Sequence, residues 1–272
     1  MPVREWPCWK ITDELQLNTA PLSMKKHRSV GIESLNSFQR FTKKQPSPFD
    51  FHVHTDWTDG QHSSMEMYQE AVACGLKAML FSEHARKSSD WFGDFANEIR
   101  SLPKLGCLAL VGVEVKALDF EGNIDCTEEI REICNLVMGS VHRFPGEEGN
   151  VKGARADLSP EEIVNIEFRM ASAMLDNPAI DILGHPFGMC YRRFGIAPPE
   201  EKVMLLIEKA ARTGIAFEVN AHYHPDPWTL VDACQKAGAR ISLGSNAHLR
   251  SEVGRISRVL RREDPPWNPS ES

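Results

Sequence analysis

Residues 49–60, Phe-Asp-Phe-His-Val-His-Thr-Asp-Trp-Thr-Asp-Gly, run from an apolar strand pattern directly into imidazoles and carboxylates. Side chains alternate along a strand with period two, so His52 and His54 point to the same side. Two ring nitrogens placed this way suit one ion, at about 2.0–2.1 Å if it is zinc. The pair gains weight because the arrangement recurs along the chain. Apolar runs at 77–81, 107–115, 135–141, 179–184, 215–219 and 240–244 follow at spacings suited to β-loop-α units. At or just behind their ends stand Glu83 and His84, Glu114, His142, His185, Glu218 and Asn220, and Asn246 and His248. In a closed parallel barrel such ends meet on one face, whereas an open sheet would spread them along an edge. The recurrence favours closure.

The stretches between the runs read as helices with recognisable ends. Ser63 and Glu66 form a capping-box pattern, as do Ser159 and Glu162 around Pro160. Ile163, Ile166, Met170 and Met174 then fall on one helical face. Residues 200–213 carry Val203, Leu206, Ile207 and Ala210 on a stripe and stop at Gly214, and a helix opened by Asp226-Pro227 stops at Gly238. Strands alternating with helices predict an α/β protein with a mostly parallel sheet.

Composition narrows the classes further. The 272 residues are 42% hydrophobic, enough for a sizeable core, and 31 basic against 38 acidic residues leave a net charge of −7. That balance argues against a generally basic nucleic-acid binder. No apolar run reaches the roughly 18 residues of a membrane span, and the first ten residues lack a hydrophobic signal core. Seven cysteines without CxxC pairs read as core thiols. The expectation is a soluble, cytoplasmic protein without a membrane partner. Residues 1–47 form an expected basic arm, with Lys25, Lys26, Arg28, Arg40, Lys43 and Lys44 against Glu33, and residues 263–272 a flexible tail. The arm reads as a solvated segment, with recruitment of nucleic acid as its functional alternative.

Six of the ten histidines, His52, His54, His84, His142, His185 and His248, stand at predicted strand ends. With two or three carboxylates they exceed the three or four protein ligands of one zinc, which implies two or three divalent ions. His27 reads as a surface residue. His62 reads as a solvated loop position in preference to the rim, and His222 and His224 as substrate contacts or rim positions.

In this order FHVHTDWTDG, FSEH, GVEV, GSVH, GHP and SNAH resemble the motifs of the PHP superfamily, named for polymerase and histidinol phosphatase, over roughly residues 48–262. The resemblance implies a distorted seven-stranded (β/α)7 TIM-like barrel with a trinuclear metal cleft at the C-terminal ends of its strands. Carried over motif by motif, His52, His54, Glu114 and the residue at 246 hold a first ion. Glu114 bridges to a second, held by His142 and His185. Asp59, His84 and His248 hold a third. The cofactors implied are two or three zinc, manganese or iron ions, with Glu114, Asp59 and His248 as catalytic candidates. Two departures stand out. Glu83 occupies a place where the family often has aspartate, and so does Asn246. Asparagine keeps a carbonyl oxygen but removes a negative charge, which weakens the first site. It leaves open a natural variant, a residue changed to trap substrate, and a member whose activity has decayed.

Clustered divalent ions lower the pKa of a bound water to about 7 and hold a phosphoryl oxygen, so the expected activity is hydrolysis of a phosphomonoester or phosphodiester by a metal-bridging hydroxide. Arg143, Arg192 and Arg193 are the expected substrate contacts, because a guanidinium offers phosphate two parallel hydrogen bonds. Trp57 and Trp91 are candidates for an apolar wall against a base or imidazole ring, or for packing at the barrel mouth. The expected partner is a small phosphorylated substrate. The alternatives are histidinol phosphate specifically, a nucleotide or nucleic-acid end, and a non-catalytic metal-binding scaffold suggested by Asn246.

Overall fold

The computed structural model describes residues 48–147 and 157–268. The expected basic arm, with His27 and Cys8, and the last four residues of the tail lie outside them.

Seven strands pair in chain order, all parallel: β1 (Phe49–Val53), β2 (Ala78–His84), β3 (Leu108–Lys116), β4 (Leu136–Ser140), β5 (Ile182–Leu183), β6 (Ala216–Asn220) and β7 (Ile241–Gly244). The ring closes just beyond β7, where Val53 bridges Ala247. There His54 N donates to Ala247 O at 2.9 Å and Ala247 N donates to His52 O at 3.1 Å. Closure is reinforced by the buried Asp50 carboxylate, which accepts from Ser245 N at 2.9 Å and Gly254 N at 2.8 Å. The β1–β2 register shifts between Asp50 and Val53, and β5 is only two residues long. The result is a nearly closed, distorted (β/α)7 barrel.

Helices α1 (Ser64–Ala73), α2 (Phe92–Ser101), α3 (Glu128–Ile133), α4 (Pro160–Met174), α5 (Glu200–Thr213), α6 (Pro227–Ala237) and α7 (Arg255–Leu260) alternate with the strands. Both expected capping boxes are present, at Ser63–Glu66 and Ser159–Glu162. Gly214 and Gly238 end α5 and α6 at φ of 76° and 72°, left-handed values that favour glycine. Sequence reading missed α2, α3 and α7. Helix α2 does bury Phe92, Phe95, Ala96 and Ile99 at helical spacing, but no side chain caps its start.

Strands covered on both faces need small residues where the helical layer and the barrel interior press closest. A side chain on Gly112 would strike Leu80, and one on Gly139 would strike Ile180 and Met174. At the other end of the chain, Trp267 is buried. Its ring lies 6.4 Å from Tyr191, and the Arg192 guanidinium sits 4.9 Å above it.

Candidate metal centre

Glu114, near the end of β3, is the hub of the cleft. Its Oε1 lies 2.9 Å from His185 Nε2 and 3.1 Å from His142 Nε2. Its Oε2 lies 3.1 Å from His84 Nδ1, 3.3 Å from His52 Nε2 and 3.6 Å from His54 Nε2. Four strands, β1, β2, β4 and β5, thus aim five imidazoles at one carboxylate. Asp59 gathers a second set, with Oδ1 3.3 Å from His248 Nε2 and Oδ2 3.4 Å from His84 Nε2. The His54 ring stacks between those of His84 and His248, with both centroids 4.5 Å away. Three overlapping groups have donor atoms within 4.8 Å of one another: His54, Asp59, His84 and His248; His52, His54 and Glu114; and His84, Glu114 and His142.

These residues fit metal ions on chemical grounds. Buried His52 Nε2, both ring nitrogens of His54, Glu114 Oε2 and His185 Nδ1 have no hydrogen-bond partner among the described residues. A buried polar atom left unpaired costs about 1–3 kcal/mol. The His52 and His54 nitrogens face either Glu114 Oε2 or Asp59, where bound cations would pair them, whereas His185 Nδ1 lies beside Gly188. Burial would raise the Glu114 carboxyl, yet His142, His52 and His84 hold it well below the usual carboxylate range. Burial, followed by His84 and His52, pushes His54 well below the usual imidazole range, into the neutral form that binds metals.

The outer ring of partners sets which nitrogen faces inward. Glu218 Oε1 accepts from His52 Nδ1 at 2.8 Å, leaving Nε2 on the Glu114 side. Its Oε2 accepts from His185 N at 2.5 Å, and Asn220 Nδ2 donates to Oε1 at 2.8 Å. Gly244 makes this possible, because a side chain there would strike Glu218 and His52. Asn246 O accepts from His248 Nδ1 at 2.9 Å, so Nε2 of that ring faces Asp59. Asn246 itself is buried at φ 51°, a conformation asparagine tolerates better than most residues. Glu83 accepts from Thr55 N and Thr55 Oγ1, each at 2.7 Å, and from Thr58 Oγ1, which ties down the loop carrying Asp59. A side chain on Gly60 would strike the backbone of His54 and Thr55, so that loop must turn on glycine.

The residues around the cleft have partners of their own. Trp57 and Trp91 stack on each other at 5.6 Å, and Trp57 Nε1 donates to Glu98, so the pair packs α2 against the loop. Arg193 is captured by Glu147 in a two-pronged ion pair at 2.8 and 2.9 Å, tying the loop after β4 to the turn after β5. Arg192 forms no such pair among the described residues. His224 accepts from Asn220 N at 2.9 Å and donates to Pro186 O at 3.0 Å, which occupies both ring nitrogens. Sequence reading missed Tyr223, whose ring stacks on His185 at 4.1 Å. Its only local signal is its place between His222 and His224. His62 lies 4.0 Å from Glu66.

The arginine-bearing π-helical turn Met189–Arg193 hangs from a buried acid on α4. Glu167 accepts from Met189 N at 3.0 Å and Cys190 N at 2.7 Å. Burial outweighs these bonds and pushes the carboxyl from 4.5 up to about 7. The folded state therefore binds this proton more tightly than the unfolded chain. Its contribution is fully present below pH 4.5 and is lost as pH rises through about 7, a change on the order of 3 kcal/mol. Urea unfolding at pH 5, 6 and 7 should show stability falling with pH, and Glu167→Gln should remove that component. An equal slope in the variant would refute the assignment.

Comparison with known proteins places this geometry. The sequence profile of the PHP domain matches residues 50–222, more than half of the chain. The chain belongs to the PHP domain family. Curated relatives of this PHP protein include a "Probable phosphatase" of Acetivibrio thermocellus, 27% identical over 224 residues, covering 78% of this chain and 84% of that protein. A histidinol phosphatase-type structure from Listeria monocytogenes superposes with a TM-score of 0.61 at 16% identity, covering 76% of this chain and 97% of that one. The histidinol phosphate phosphatase of Lactococcus lactis, complexed with zinc, L-histidinol and phosphate, superposes at 0.55 with 19% identity, covering 79% and 92%. A second curated relative, from Clostridium novyi, is likewise named a probable phosphatase and is 28% identical over 225 residues, covering 77% of this chain and 82% of that protein. No helix among the described residues is long and apolar enough to cross a membrane.

Proposed function

We propose that this PHP protein hydrolyses a small phosphomonoester or phosphodiester with two or three divalent ions, zinc, manganese or iron, held in the Glu114 cleft. The observation that carries the reading is that the unpartnered buried nitrogens His52 Nε2 and His54 Nε2 face the unpartnered Oε2 of Glu114, within overlapping groups of metal-ligand atoms. His52, His54 and Glu114 would hold one ion, with Asn246 beside them, and Glu114 would bridge to His142 and His185. Asp59, His84 and His248, with His54 between the rings, would hold another. Bound ions supply a water of lowered pKa and a Lewis acid for the phosphoryl oxygens.

The chain's own residues do the rest. Glu218 and the Asn246 carbonyl keep His52 and His248 in one tautomer, and Glu83 holds the Asp59 loop in place. Arg143, directly behind His142, and Arg192, in the turn after β5, would supply guanidiniums that read phosphate charge. Arg193, already paired with Glu147, acts as a clamp. Histidinol phosphate is a specific candidate, supported by the zinc, histidinol and phosphate bound in the Lactococcus structure. Asn246 leaves the non-catalytic scaffold as the rival.

Elemental analysis of the purified chain and a panel of phosphate esters, histidinol phosphate included, with added manganese or zinc test the proposal. The expected result is two or more ions per chain and turnover of at least one ester. Fewer than two ions, or no turnover even in Asn246→Asp, would sink it.

A further inference from the structure

Three cations crowd one side of the cleft mouth. Lys116 lies two residues beyond Glu114 on β3, so period-two alternation puts it on the same face, one step further out. The β2–β3 register pairs His84 with Glu114, which sets Arg86, two residues past His84, level with Lys116. The β3–β4 register pairs Lys116 with Ser140, and three residues beyond Ser140 is Arg143. Lys116 thus ends β3, while Arg86 and Arg143 lie in the loops directly behind the neighbouring strands β2 and β4, each one or two residues past His84 or His142.

None of the three side chains has an ion pair or a hydrogen bond among the described residues, although Lys116 and Arg143 are half-buried. Arg143 and Arg86 are the charges that press most strongly on the Lys116 ammonium, and both repel it. Of the nearby acids, Glu147 is committed to Arg193 and to Phe144 N. Asp125 accepts from Lys87 N. Half-buried like charges without a counterion are costly, and an anion docked among them removes the cost. Arg192 stands apart from this group, beside Trp267 and His222.

We infer that the cleft is built for a substrate with two phosphate groups, one at the metal centre and the second docked on Arg86, Lys116 and Arg143. The inference rests on the proposed phosphoesterase reading. A second phosphate suits the site better than a single carboxylate, because three cations match a group of about two negative charges and two of them offer guanidinium forks. Selectivity then comes from the length between the phosphates.

The test compares 1,n-alkanediol bisphosphates of three to six carbons with 1-alkanol monophosphates of the same length, on the metal-loaded full chain. The best bisphosphate is expected to exceed its matched monophosphate in kcat/KM by about tenfold or more, the effect of one or two charge-assisted hydrogen bonds. In Lys116→Met, and separately in the exposed variant Arg86→Gln, that ratio should fall toward one. A ratio near one across the wild-type series, or the same ratio in both variants, overturns the inference. If no ester turns over, the phosphoesterase reading fails on its own. Calorimetric binding of the same pairs then decides the second-phosphate site, with the wild-type preference for bisphosphate and its loss in the variants as the supporting result.

Discussion

Replacing Glu114 by glutamine is expected to lower kcat/KM by on the order of 10³-fold and to remove at least one bound ion per chain. Glu114 is nearly isosteric with glutamine, so the barrel should still form. The charge is what changes. Both carboxylate oxygens lie 2.9–3.6 Å from ring nitrogens of His185, His142, His84, His52 and His54. An amide puts one donor where two acceptors stood and withdraws the negative charge that two ions would share. Elemental analysis after dialysis, with circular dichroism to verify folding, reads the metal loss directly. A folded Glu114→Gln chain that keeps its full complement of ions would show that Glu114 does not bridge.

The second large effect is expected at Glu218, which touches no proposed ion. Glu218→Ala should weaken metal affinity by about 10–100-fold, the usual consequence of losing a group that orients a ligand. It should also cost stability of about 3–5 kcal/mol, because a buried ionic partner disappears while its neighbours stay buried. His52 Nδ1 and Asn220 Nδ2 both donate to one oxygen of Glu218, and His185 N donates to the other. Since both oxygens only accept, glutamine is a poor substitute, as it turns one acceptor into a donor facing a donor. Chelator competition measures the affinity and urea unfolding the stability. Unchanged metal affinity in a folded Glu218→Ala chain would reduce the residue to packing.

Much of the candidate centre was legible before any fold was known. His52, His54, His84, Glu114, His142, His185 and His248 sit at strand ends, and a parallel barrel brings strand ends together whatever the loops do. The caps at Ser63 and Ser159 and the glycine stops at 214 and 238 were local as well, since each depends on residues within one helical turn. Helix α2 was harder because Trp91 offers no cap, and α7 because it starts at Gly254 in a left-handed conformation.

What the sequence alone determined, then, is the period of the strands, the number of crossovers and the side chains delivered to one face of the barrel. Only the tertiary structure separated ligand from support. Glu83, Glu114 and Glu218 look alike as carboxylates near strand ends, yet Glu114 faces five imidazoles while the other two are spent on neighbouring N–H and O–H groups. It also withdrew Arg193 into an ion pair with Glu147, 46 residues away, and left Lys116 without a partner among the described residues, beside Arg86 and Arg143. The physical reason is range. Alternation and capping are set by neighbours in the chain, whereas hydrogen bonds and charge interactions depend on through-space distance and burial, which exist only once the barrel has closed.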